Sequence, residues 1–158
     1  MMEYCQTKIG WGTTEKWNTN KMYPTKEEIL KIKPPINEET INIVKNWRKV
    51  FMHRWKYYTI KQKIETLNKL IYCVQVMENT GLPPAKTKAA KQYKYSKKKK
   101  TIYYDNKNPS IISSLHETAH HLFGPDELLA CRWSIHLFKE CFPTAYKQLH
   151  WVNHQLKK

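Results

Sequence analysis

The stretch from Ser110 to Glu127, SIISSLHETAHHLFGPDE, restricts the fold more than any other part of the chain. Ser110 is a good N-cap, and Ile111, Ile112, Leu115 and Ala119 supply an apolar stripe at helical spacing. Gly124 and Pro125 stop that helix: the glycine tolerates a left-handed C-terminal position, and the proline blocks continuation. Asp126 then serves as the next N-cap. The spacing predicts a helix over 111–123, a tight turn and a second helix over 126–141, packed as neighbours in an antiparallel pair. Pro143 opens a last helix, expected over 144–156.

The rest of the chain is arranged around this pair. Residues 1–35 hold Gly10, Gly12, Pro24, Pro34 and Pro35 and show no clean period, so they read as an irregular N-terminal arm. Asn37 is an N-cap before an apolar face at Ile41, Val44, Trp47, Phe51, Trp55 and Tyr58. A second helical pattern, Ile60, Ile64, Leu67, Ile71 and Val74, ends near Asn79 and Gly81, giving a helical pair over 37–79. In the basic stretch 85–105, Tyr93, Tyr95, Ile102 and Tyr104 alternate around SKKKK, the pattern of an antiparallel hairpin. The expected class is α+β: a mostly helical, minimal domain over 36–158 with a small antiparallel β-hairpin packed on the helix 111–123.

Charge and cysteines narrow the function. The 158 residues carry a formal net charge of +15, and residues 71–110 hold nine basic and two acidic side chains. Such a field favours an anionic partner, either nucleic acid or an acidic protein. Lys94 and Lys97, Lys98, Lys99 and Lys100 are the candidate phosphate contacts, with Tyr93 beside them as a stacking surface. The same run also reads as a solvated loop in a lysine-rich chain. No apolar run approaches the length of a membrane span, and the N-terminus has no signal-peptide core. The cysteines, Cys5, Cys73, Cys131 and Cys141, form no CxxC pair, which argues against a zinc knuckle and for reduced thiols. A cytoplasmic location is expected, in the host cytoplasm or a virion for a viral chain; oligomeric state is not readable.

The chemistry sits at His116-Glu117-Thr118-Ala119-His120, an HExxH on the predicted helix. Histidines four apart leave one helix face, so both imidazoles can bind one Zn2+. Glu117 lies one step round, placed to act as general base on a zinc-activated water. The bland alternative is a helix whose histidines are satisfied by carboxylates or by the core. A catalytic zinc needs a third protein ligand and an open position. Glu127, seven residues past His120 and in the first turn of the next helix, is the leading candidate. Asp126 is a rival that also suits the N-cap, and His136 is a rival about 13 Å further along the helix. His121 points away from His120 toward neighbouring structure or solvent. Trp133, Trp151 and His154 are candidates to line the C-terminal side of a cleft.

The segment HETAHHLFG resembles the active helix of zincin metallopeptidases. Two groups are closest. ImmA/IrrE-like peptidases of mobile elements follow HExxH with a glutamate helix, which Glu127, Ala130, Trp133 and Ser134 echo in order, with Trp and Ser as replacements. Phage and SprT-like metallohydrolases place a strand before HExxH and a Gly-Pro-Glu element after it. TIYYD and Phe123 to Leu128 echo these, with Phe123 where that group has a histidine. The resemblance spans roughly residues 93–143. It implies a small zinc-dependent peptidase acting on a peptide or protein, with Ile102, Tyr103 and Tyr104 as the edge strand that pairs with substrate backbone. It also implies a phage or mobile-element setting and action on nucleic-acid-associated proteins. The alternative is a basic nucleic-acid-binding or virion-associated module whose metal site is structural or inactive.

Overall fold

Side-chain caps set the helix starts. In the computed structural model, which describes residues 23–152 and 154–157, Thr25 opens α1 (Lys26–Lys31) through a reciprocal capping box with Glu28. Asn37 opens α2 (Glu38–Phe51), which tightens into a 3-10 turn over Met52–Tyr57. Thr59 and Gln62 form a second capping box at α3 (Ile60–Glu78), and Asn79 ends that helix in the left-handed conformation at φ 49°. Ser110 caps α4 (Ile111–Phe123), and Asp126 caps α5 (Glu127–Cys141). The arm expected over 1–35 lies outside the described residues as far as residue 22. Beyond it the chain is less irregular than expected, because Thr25 and Glu28 nucleate α1.

Three short strands join α3 to α4: β1 (Lys86–Ala90), β2 (Lys94–Ser96) and β3 (Thr101–Asp105). Lys97 to Lys100 turn the chain between β2 and β3, which pair antiparallel, Tyr95 opposite Ile102. Beyond this hairpin, β1 pairs parallel with β3, Thr87 opposite Ile102, so the order is β1-β3-β2. Side chains alternate across the sheet. Tyr95 and Ile102 point inward onto Ile71 of α3, while Lys88, Tyr103 and Lys94 form a row on the opposite face. The fold is therefore mostly helical α+β, with a small antiparallel hairpin against the HExxH helix α4.

The helix expected over 144–156 ends early. The chain forms α6 (Pro143–Gln148) and then a hairpin, β4 (His150–Val152) with β5 (Gln155–Lys157). Its alternation explains the difference: Trp151 and Leu156 face each other, and Leu156 is buried against Leu128, Cys131 and Ile135 of α5. Burial on a sheet-like period outweighs weak helix propensity here.

α5 is buried on two sides. Ala130, Trp133 and Leu137 join the main core with Val44 and Trp47 of α2, Leu70 and Val74 of α3, and Leu115 and Ala119 of α4. On the other side lie Ile29 of α1 and Leu156 of β5. Arg132 fastens α1 by donating from Nε and Nη2 to the Glu28 carbonyl at 3.0 and 2.8 Å. No helix among the described residues is long and apolar enough to cross a membrane.

Candidate metal centre

The turn between α4 and α5 depends on Gly124. It sits at φ 99° and ψ −169°, a region nearly confined to glycine. A Cβ there would meet nothing within 4 Å, so the position demands backbone freedom rather than space. The turn folds the first residue of α5 back over the last turns of α4. Glu127 Oε1 comes to 3.1 Å from His120 Nε2, and Glu127 Oε2 to 3.2 Å from His116 Nε2. One ligand atom from each of the three residues lies within 4.8 Å of the others. Glu127 and His120 are buried, whereas the His116 side chain keeps 17% exposure.

Proton accounting defines what this cluster can hold. His120 Nδ1 lies 3.0 Å from the Gly124 carbonyl oxygen. A carbonyl only accepts, so Nδ1 donates and, in the neutral ring, Nε2 offers a lone pair toward Glu127. Burial lowers the His120 pKa and favours that neutral ring, outweighing the opposing pull of Glu127. Burial alone would raise the Glu127 carboxyl. The charge interaction with His116 and the close polar contacts with His116 and His120 overcome it and hold Glu127 well below the usual carboxylate range. The result is a carboxylate with each oxygen facing an imidazole Nε2. At His120 a lone pair and a carboxylate oxygen, two acceptors, face each other at 3.1 Å, and a positive centre between them satisfies both. Two imidazoles and a carboxylate are also the donor set that suits zinc, and a backbone carbonyl holding the far nitrogen is a common support for a ligating histidine. The cluster is thus consistent with a zincin-type HExxH metal site.

Further side chains close around it. Cys131, one turn after Glu127, places Sγ 3.5 Å from Glu127 Oε2 and 3.9 Å from His116 Nδ1. His154, from the turn of the C-terminal hairpin, places Nε2 3.8 Å from Glu127 Oε2 and stacks on Tyr23, ring centroids 4.1 Å apart and nearly parallel. Burial pushes the His154 pKa down to about 4. Its Nδ1 is buried without a hydrogen-bond partner among the described residues. Cys131 was within reach of sequence reasoning, since i and i+4 share a helix face. His154 had no local signal beyond its place among C-terminal aromatics.

The other sequence candidates have the following places. Glu117 is buried on α4, next to His116. Asp126 Oδ1 accepts from the Leu128 and Leu129 amides at 3.0 and 3.3 Å, the work of an N-cap. His136 lies away from the cluster, its Nε2 3.1 Å from the Ile29 carbonyl, and so holds α1 on α5. His121 is buried rather than at the surface. Nε2 donates to the Pro83 carbonyl at 2.9 Å, which leaves Nδ1 to accept from Tyr95 Oη at 2.6 Å, so one neutral ring ties the loop after α3 and β2 to α4. Trp133 is core, packed on Phe123.

Two expectations need correction. β3 is the central strand, with Thr101, Ile102 and Tyr103 paired on both sides, so substrate backbone cannot add along Ile102 to Tyr103. Tyr104, opposite Ala89, lines a surface groove with Ile60 and Ile64 of α3. Tyr93 is half-buried: its hydroxyl accepts from the Ser110 amide at 2.9 Å and meets Ser114 Oγ at 3.1 Å, anchoring the start of α4. The aromatic on the basic face is Tyr103, with Lys94 Nζ 5.0 Å from its ring centre. Lys97 to Lys100 are exposed in the turn. The chain matches no protein-family model, no curated protein and no solved structure, so the cluster is read from its own atoms.

Proposed function

We propose that the chain is a zinc-dependent hydrolase, most simply a small metallopeptidase. The observation that carries this reading is the convergence of His116 Nε2, His120 Nε2 and the Glu127 carboxylate, with the His120 proton committed to Gly124. These three residues would hold the ion. When bound, zinc supplies Lewis-acid polarisation of a carbonyl and lowers the pKa of water. Glu117 is the general base: its carboxylate takes a proton from the attacking water and returns it to the leaving amine nitrogen. His116, the most exposed of the three, marks the side from which substrate enters. β2, the edge strand whose Tyr95 bonds His121 of α4, takes the strand-pairing role that β3 cannot fill. Purified chain should degrade an unfolded protein such as casein, lose that activity in a strong chelator and regain it with added zinc. Degradation that persists unchanged without metal contradicts the reading.

A second reading rests on the outer sheet face. The cross-strand row Lys88, Tyr103, Lys94 sits beside the exposed turn Lys97 to Lys100, combining phosphate-binding charge with an aromatic surface. On this reading the chain binds single-stranded nucleic acid, alone or alongside hydrolysis of bound proteins. Fluorescence titration with a labelled oligonucleotide across a salt series should give binding that weakens steeply with salt and weakens further in Lys94→Ala. Affinity independent of salt contradicts it.

A further inference from the structure

His154 is an unusual investment for structure alone. It is buried, its ring lies flat on Tyr23 at 4.1 Å, and that stacking needs only an aromatic face. A phenylalanine would provide the face without placing a polar nitrogen in the interior. Instead Nδ1 is buried without a partner among the described residues, a state that folded proteins avoid unless the group serves another purpose. The other nitrogen explains the choice. Nε2 faces Glu127 Oε2 across 3.8 Å, too far for a hydrogen bond, so its N–H is left to a further acceptor at the cluster. The carboxylate favours the tautomer with the proton on Nε2, so an N–H faces the cluster on its Glu127 side. The stack on Tyr23 fixes the ring plane, and the β4–β5 hairpin brings the ring in independently of α4 and α5.

We infer that His154 hydrogen-bonds an oxygen atom of the ligand held at this centre, through an Nε2–H aimed past Glu127. In hydrolysis that oxygen belongs to the carbonyl being attacked. The assignment rests on the metal-centre reading above. His154 is then a ligand-contacting residue and not a metal ligand.

The test uses the full chain loaded with zinc and acetohydroxamate, a small oxygen ligand for metal centres. Zinc affinity is read first, by competition with a chromophoric chelator, and acetohydroxamate binding second, by calorimetry. His154→Phe keeps the aromatic stack and lacks the N–H. It should bind one zinc per chain with affinity within about threefold of wild type, and bind acetohydroxamate about tenfold or more weakly, the scale of one lost hydrogen bond to a charged group. His154→Gln restores an N–H donor and should recover part of the loss. Circular dichroism checks folding, and if the phenylalanine variant does not fold, the glutamine variant carries the comparison against wild type and His154→Ala. Unchanged acetohydroxamate binding in folded variants lacking the N–H overturns the assignment and leaves the metal centre standing. A loss of zinc affinity beyond about a hundredfold makes His154 a metal ligand and also overturns it. A wild type that takes up no zinc overturns the metal centre itself, and the assignment with it, before any variant is compared.

Discussion

Glu127 sets the local chemistry, because among the described residues it is the carboxylate shared by both histidines of the motif. Glu117, the proposed general base, separates an enzyme from a metal clip. Glu117→Gln keeps size and helix and removes the proton acceptor. Zinc content and thermal stability should stay near wild type, while hydrolysis falls at least about a hundredfold, the scale of a positioned general base. Full turnover by this variant on a substrate the wild type cleaves contradicts the mechanism. His116→Ala should lose zinc, stability and activity together, which a zinc titration paired with a melting curve will show. The histidines themselves were legible in the sequence, because a spacing of four on a helix fixes a common face. Tautomers were not: the Gly124 carbonyl on His120 and the Pro83 carbonyl on His121 depend on how loops return to α4.

At the scale of elements, the α4–α5 turn links folding to the site. Gly124 combines a backbone conformation that other residues adopt only with strain and the carbonyl that orients His120. Gly124→Ala should cost about 1–3 kcal/mol in denaturant unfolding, from backbone strain alone, since a Cβ meets nothing within 4 Å. It should also weaken zinc binding, because the carbonyl shifts with the peptide. An alanine variant equal to wild type in both measurements contradicts this account of the turn. The caps Ser110, Asn37 and Asp126 and the stop at Asn79 were readable because each acts within three or four residues. The parallel pairing of β1 with β3 was not, since it joins segments across β2, and it is this pairing that makes β3 central. The C-terminal hairpin was likewise hidden, because Leu156 finds its reason in α5, some twenty residues back.

At the scale of the whole molecule, buried histidines make the metal-free fold sensitive to acid. Burial lowers the pKa of His120, His121, His136 and His154, the last to about 4. For each, the folded pKa lies below the unfolded value near 6.5, so below that pH the unfolded chain binds more protons. Their contribution is fully present above about pH 6.5 and is lost as pH falls toward 4. Urea midpoints of the chelator-treated protein should drop across that window, and His136→Gln, far from the cluster, should show a shallower drop. A midpoint that rises on acidification contradicts the sign. Bound zinc would counter the same trend, since an ion that binds only the folded chain stabilises it by mass action, and it would tie α4 to α5 through His116, His120 and Glu127. The central claim is that these three residues form a metal centre. Elemental analysis of zinc per chain, on wild type and on Glu127→Gln, tests it most directly. The account predicts one zinc per wild-type chain and an affinity at least about a hundredfold weaker when the shared carboxylate is gone. A wild type without zinc after exposure to the ion, or a variant that binds it equally well, contradicts it.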